Sequence, residues 1–295
     1  MPRFVLRFAP ATRPWVNEVQ PGNWNGMRIR VLTMNVQHDA GDPRRTALIN
    51  GELRRLSPDV VALQEVRPDQ LAELVEGTGL THTTHQADVL ESEWQDGIVL
   101  ASRRPQRVVD VREHRASADA DVHWWTLAAA VDVAELGELL FVQPATPWRL
   151  DQSAAREEQL LAAAEVDEKY RFRLPSIIAG DLNATPDSAG IRFLSGLQSL
   201  AGRSVHYHDA WAVAGDGAGY TWTAANPVAA PEIDHLVGQP HHHRRIDYIF
   251  VGSAHSHPAA RARVVHAGLV GDTPIDNIWL SDHYGVLADL DYSLS

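Results

Sequence analysis

The stretch Ser176-Ile-Ile-Ala-Gly-Asp181-Leu-Asn183-Ala-Thr-Pro186 decides the fold. Residues 176–180 form an apolar run of buried-strand length, which stops on Asp181 and Asn183 before Pro186 breaks the chain. Two apart in extended backbone, Asp181 and Asn183 point to the same side. The same pattern recurs elsewhere. Asn35, in Thr33-Met-Asn-Val36, closes the alternating run 28–35, and Glu65, in Leu63-Gln-Glu-Val66, follows the run 59–64 bounded by Pro58 and Pro68. Asp247 lies in Arg245-Ile-Asp-Tyr-Ile-Phe250, and Asp282-His283 lies in Leu280-Ser-Asp-His-Tyr284. Each polar group closes or follows an apolar run. Each therefore emerges at a sheet edge, where α/β proteins place their ligands.

Outward from these runs, strands alternate with helices. Strands are expected at 28–35, 59–64, 97–102, 106–112, 124–132, 138–143, 176–180, 245–251, 260–267 and 284–290. Helices are expected at 43–56, 68–76, 151–169 and 187–200, with Asp151 as the N-cap of the clearest. Residues 1–26, punctuated by Pro2, Pro10, Pro14 and Pro21, read as an N-terminal extension. No shift of composition divides 27–295, which reads as a single α/β domain. The acidic segment 116–121 and the Gly/Ala/Pro-rich segment 214–240 read as long loops, and specificity is expected in loops 82–95, 113–123 and 214–243.

Composition sets limits. Of 295 residues, 44% are hydrophobic and 22% charged, as in an ordinary globular protein. Lys+Arg is 26 and Asp+Glu 38, and 26 − 38 gives −12, a balance unsuited to general nucleic-acid binding. A nuclease stays open, because bound metal supplies positive charge locally. The absence of cysteine excludes disulfides, thiolate catalysis and Cys-zinc sites. No run reaches the roughly 18 apolar residues of a membrane span, and residues 1–10 lack an export-signal core. The expectation is a cytoplasmic protein with no membrane association and no evident protein partner. Glu65, Asp181, Asp247 and Asp282, if clustered, repel one another unless a cation or proton sits among them. Oxygen donors favour a hard ion, Mg²⁺ first, then Mn²⁺ or Ca²⁺.

Gly-Asp-Leu-Asn, then Arg-Ile-Asp-Tyr-Ile, then Ser-Asp-His-Tyr-Gly, in that order, resembles the endonuclease/exonuclease/phosphatase superfamily over roughly Arg28 to Leu290. The resemblance implies a four-layer α/β sandwich, two mixed β-sheets packed face to face and flanked by helices. It implies metal-dependent hydrolysis of a phosphate mono- or diester by in-line attack of water, on a small phosphorylated molecule or nucleic acid. Glu65 would be the main metal ligand, helped by Asn35 and Asp282. Asp181 would deprotonate the water, and Asn183 would hydrogen-bond the water or the phosphoryl oxygens. Asp247 would hold His283, whose imidazolium would face the scissile phosphate.

One position departs from the pattern. Where the family carries a second histidine, this chain has Ala145, in Leu140-Phe-Val-Gln-Pro-Ala-Thr-Pro147. The site is weakened, or a neighbour such as Gln143 or Thr146 takes over, or the site serves another substrate, or Ala145 is an inactivating change, or the protein is a non-hydrolytic or repurposed member that binds a metal or phosphate ligand or catalyses another reaction. Trp148 and Trp222 fall in expected substrate-facing loops and either contact substrate or pack; Trp124-Trp125 opens a strand that reads equally as core. Arg103 supports the site's rim or pairs with an acidic neighbour. Asp187 and Asn226 read as turn formers, Asn226 also as a substrate contact. His241–His243, beside Arg244-Arg245, reads as a solvated loop, with completion of the site as the other reading.

Overall fold

Strand alternation builds the layers. The structure, a computed structural model, describes residues 26–90, 96–115, 123–239 and 241–295. The extension, save Gly26, and the acidic loop 116–121 lie outside the described residues. One sheet contains β1 (Met27–Asn35), β2 (Val60–Val66), β3 (His82–His85), β4 (Gly97–Ser102), β13 (Ala260–Val270) and β14 (Gly285–Leu294), in the order β13-β14-β1-β2-β4-β3. The other contains β5 (Gln106–Arg115), β6 (His123–Asp132), β7 (Glu138–Pro144), β8 (Ile177–Asp181), β9 (Tyr207–Asp209) and β12 (Asp247–Gly252), in the order β5-β6-β7-β8-β12-β9. In β1, Ile29 and Val31 join the cluster between the sheets with Phe141, Ile177 and Ile249. The intervening Leu32 and Met34 face the other way, onto Ile49 and Leu53 of α1 (Arg45–Leu56) and Leu74 of α2 (Pro68–Val75). On the second sheet's outer face, Val142, Ile178 and Phe250 meet Leu160 and Ala163 of α4 (Ser153–Tyr170) and Phe193 of α5 (Ala189–Leu194). Successive strand residues point to opposite faces, so strands buried on both faces read as continuous apolar runs. Helix, sheet, sheet, helix is the four-layer sandwich expected.

Both sheets are mixed. β1 and β2 run parallel through the α1 crossover, and β7 and β8 run parallel through α4. Asn35 pairs with Gln64, so the C-terminal ends of β1 and β2 finish together. After the site loop, Gly285 lets the chain re-enter the sheet, since a Cβ there would lie 2.9 Å from the Thr33 carbonyl oxygen.

The expected loops hold short elements. Segment 82–95 contains β3 and α3 (Gln86–Val89), and beyond 200 come α6 (Ala210–Ala214), α7 (Ala230–Val237) and a ribbon of β10 (Trp222–Thr223) and β11 (His243–Arg244). β3, His-Thr-Thr-His, has no apolar alternation, whereas α7 does carry helical spacing in Ile233, Leu236 and Val237, a signal the loop reading of 214–240 passes over. The helix expected at 187–200 covers only Ala189–Leu194, because Gly196 at φ +73° turns the chain out of it. His243 pairs with Thr223 in the ribbon and stacks on Tyr220, so the histidine tract is structured in part. Among the described residues no helix is long and apolar enough to cross a membrane.

Candidate active site

The five sequence sets converge at one edge of the sandwich. Glu65 gets there through irregular backbone. The pairing of β2 with β4 slips between Leu63 and Val66, and Glu65 within this bulge has φ +55°. A bulge re-aims a side chain, and a non-glycine residue in left-handed backbone is the sort of strain found at functional sites. Asn183, φ +49°, is a second such residue, of a type that tolerates the conformation. Asp181 and Asp247 are directly opposed in the β8–β12 register, so their carboxyl groups share a face.

The loop carrying Asp282 and His283 is pinned from behind. Buried Asn226 donates through Nδ2 to the carbonyls of Ser281 and Asp282, at 2.9 and 3.1 Å. Tyr284 N–H donates to Thr221 O at 2.7 Å, and Trp222 bridges to His283. Buried Arg45 donates to the Leu280 carbonyl at 2.8 Å and also to those of Val36 and Ala40, joining this loop to the segment after β1. Nothing in the pattern of α1 marks Arg45 as buried.

Hydrogen bonds order the carboxylates. Asn35 Nδ2 donates to Glu65 Oε1 at 2.9 Å and to Asp181 Oδ2 at 3.3 Å, and its Oδ1 accepts from Gln37 N–H at 2.9 Å. Asn183 donates to Asp181 twice, N–H to Oδ1 at 3.0 Å and Nδ2 to Oδ2 at 3.2 Å. His283 Nδ1 lies 3.0 Å from Asp247 Oδ2. Ligand atoms of Asp181, Asp247 and His283 all lie within 4.8 Å of one another, close enough to hold a metal ion.

Burial controls the charges. It pushes Asp181 up to about 7, and the facing Asp247 adds to the rise. It raises Glu65 too, with Asp282 as the next cause. At His283 burial opposes the charge, but Asp247, Asp181 and Asp282 together hold the imidazole well above its ordinary value. Glu232 on α7, which no motif marks, also faces Asp282 and is raised by burial. Buried, mutually repelling oxygen donors, with Asp247 Oδ1 lacking a hydrogen-bond partner, fit a hard divalent cation.

These directions have a common sign. Asp181, Glu65 and His283 all bind protons more tightly in the folded than in the unfolded chain, so stability falls as pH rises through their titration. Exposed carboxylates with lowered values, such as Asp42 and Asp69, act in the opposite sense but finish titrating by about pH 5. His114, His208, His242 and His257, held below their ordinary value chiefly by burial, act the other way over the same range, so the check is a difference: in EDTA, Asp181→Asn is expected to make the change in Tm from about pH 5 to about pH 8 less negative than in the parent. Equal slopes in parent and variant would remove Asp181 from this balance.

Two cavities open on the cluster. One, of about 260 Å³, is lined by Trp124, Trp125, Ala145 and Trp148 beside Asp181 and Glu65. The other, of about 220 Å³, is lined by Trp222, Glu232, Arg244 and His283. Trp148, 50% exposed, stands on both, whereas Trp222 is 5% exposed and chiefly packs. His38, unmarked in the sequence, also lines both. Arg103 does not reach the site. It follows Ser102, which pairs with Val60 at the far end of β2, and it donates to Pro58 O and Ser57 Oγ. Asn226 is 0% exposed and braces the Ser281-Asp282 backbone, so it is not a substrate contact. The turn reading survives in part, since its Oδ1 accepts from Val228 N–H.

The sequence profile of the Endonuclease/Exonuclease/phosphatase family matches residues 32–283, and the chain belongs to that family. Membership of that family makes the chain a phosphoesterase of a divalent-metal-dependent class, and the Asp181, Asp247 and His283 cluster could hold such a metal. Among solved structures, the chain resembles an endonuclease/exonuclease/phosphatase family protein from Bacteroides thetaiotaomicron. The TM-score is 0.69 at 18% identity, over 92% of this chain and 100% of that one. A humanized D. rerio TDP2 aligns with TM-score 0.67 at 20% identity, over 89% and 98%. The endonuclease/exonuclease/phosphatase from Beutenbergia cavernae aligns with TM-score 0.62 at 24% identity, over 89% and 71%. Among curated proteins none matches the chain.

Proposed function

We propose that the protein is a Mg²⁺- or Mn²⁺-dependent hydrolase of phosphate esters, diesters above all. The observation that carries this reading is the contact of Asp181, Asp247 and His283, a general base beside a charged imidazole, at the mouth of a cavity also lined by Glu65 and Asp282. Glu65 and Asp282 would hold the cation, and Asn35 would orient Glu65 while keeping one oxygen lone pair for the ion. Bound there, the cation supplies positive charge to the ester oxygens. Asp181 takes a proton from water as the water oxygen bonds to phosphorus; the bond from phosphorus to the leaving ester oxygen breaks, and that oxygen departs with the electron pair and takes a proton from solvent. Both Asn183 donors are directed at Asp181 and Thr146 O, which leaves Asn183 Oδ1 to accept from that water. His283, held at Nδ1 by Asp247, presents Nε2 to a phosphoryl oxygen.

Trp124, Trp125 and Trp148 favour a planar substituent on the ester, because aromatic side chains stack bases and other flat rings. D. rerio TDP2 has been solved with a single-strand DNA product. A net charge of −12 favours a short strand or a small phosphorylated molecule over long duplex DNA. The non-hydrolytic alternative raised by Ala145 gains no specific support from the geometry.

The test is a hydrolysis panel in Mg²⁺, Mn²⁺ and EDTA. It covers plasmid DNA, a single-stranded oligonucleotide, RNA, sugar and inositol phosphates, and bis(p-nitrophenyl) phosphate. Turnover of at least one diester is expected, abolished by EDTA and by Glu65→Gln. An inert panel would sink the hydrolytic reading in favour of the alternative.

A further inference from the structure

Ala145 leaves a place in the site without a side-chain donor, and neither sequence neighbour fills it. Gln143 is buried, with Nε2 donating to Leu63 O at 2.8 Å, and Thr146 Oγ1 bonds Asp181 O at 3.2 Å. We propose that Arg244, on the 220 Å³ cavity that Ala145 does not line, supplies a phosphoryl donor from another direction: its guanidinium binds a non-bridging phosphoryl oxygen of the ester across that cavity from His283. The assignment rests on the phosphoester reading.

Pairing places Arg244 there. Arg244 is directly opposite Trp222 in the β10–β11 ribbon, and Trp222 is in turn opposite His283. Residues directly opposed in antiparallel pairs project to the same face, with Cβ atoms about 5 Å apart. Arg244, Trp222 and His283 therefore stand in a row, and all three line the 220 Å³ cavity with Asp181 and Asn183. The row is tied together by backbone: Thr221 N–H donates to Arg244 O at 2.9 Å, and Tyr284 N–H donates to Thr221 O at 2.7 Å. Roughly 10 Å separates the outer two Cβ atoms, two steps of about 5 Å. Trp222 stands between them, and the cavity of about 220 Å³ that all three line has room for a tetrahedral phosphoryl group.

The adjacent arginine shows what a structural role looks like. Arg245 is buried, its Nη1 is 2.8 Å from Asp209 Oδ2, and its guanidinium lies 4.6 Å from the Tyr248 ring centroid. Arg244 has no carboxylate partner of that kind among the described residues. Its guanidinium makes one long contact, Nη2 donating to Asn183 O at 3.5 Å. A guanidinium has five donors, so most remain for a ligand. Burial opposes the Arg244 charge and Asp181 is the first group to support it, as expected of a cation facing the same cavity. Arginine stays charged when partly buried, and its planar fork matches two oxygens of one phosphate.

The test compares parent, Arg244→Ala, Arg244→Gln and Arg244→Lys in saturating Mg²⁺. Calorimetric titration with inorganic phosphate is paired with turnover of bis(p-nitrophenyl) phosphate. Arg244→Ala is expected to weaken phosphate binding at least about tenfold and to lower kcat about ten- to hundredfold. Arg244→Lys should recover part of both, and the Mg²⁺-induced rise in Tm should be unchanged. If Arg244→Ala fails to fold, Arg244→Gln carries the same expectation. Phosphate binding and turnover within threefold of parent would overturn the assignment while leaving the hydrolase reading intact. Phosphate binding that depends on Arg244, with no ester turned over, would support the assignment and remove the hydrolase reading. A parent that binds no phosphate would overturn the assignment.

Discussion

Asp181→Asn is expected to lower kcat on a true substrate by about 10² to 10⁴, the scale of a lost general base, while raising the Tm of the metal-free protein. The two effects share a cause. Asp181 is buried, and both its burial and the facing Asp247 disfavour its charge. Asparagine keeps the shape and an oxygen to accept from Asn183 N–H, but it removes the charge that the empty fold must carry. The Nδ2 groups of Asn35 and Asn183, 3.3 and 3.2 Å from the other carboxylate oxygen, both lose that acceptor, a cost the relief of the buried charge must exceed for Tm to rise. Loss of activity with gain of stability is the signature of a strained functional group. A residue retained for packing would lose both together. Activity within threefold of parent, with Tm raised, would show that Asp181 is tolerated for another reason and that a different group takes the water's proton.

How much of this site was legible follows from which forces act locally. The strand ends were readable because an apolar run that stops on a carboxylate is a one-dimensional pattern, and Asn35, Asp181, Asp247 and His283 all lie beside such runs. Glu65 was legible as a residue but not in its aim, since its direction comes from the bulge and the positive φ. Arg103 shows the opposite error. It too follows a strand, but β4 is antiparallel to β2, so the end of one lies beside the start of the other. Arg45 and Arg244 left no local trace, and Asn226 only that of a turn, because the partners that define their roles lie far along the chain. Arg244 and Arg245 are neighbours of one residue type with opposite surroundings. Only the pairing of a two-residue strand tells them apart.

Replacement of the remaining histidine isolates its electrostatic role. His283→Ala is expected to lower kcat by about 10² to 10³, the range for removal of one preorganised donor to developing charge. A pH profile separates this from a packing defect. His283 acts as imidazolium, so activity should fall on the alkaline side as the ring loses its proton, and the limb should lie above the ordinary histidine value because three carboxylates surround the ring. Asp247 is the leading of these three. Asp247→Asn should therefore move the alkaline limb toward lower pH while keeping a hydrogen-bond partner for Nδ1. His283→Ala should abolish the limb altogether. With His283 removed, Arg244 would still face the phosphoryl group in this reading, so the double variant His283→Ala/Arg244→Ala should lose more than either alone. An alkaline limb that stays in place in Asp247→Asn and persists in His283→Ala would assign that ionisation to another group, and the imidazolium mechanism would fall with it.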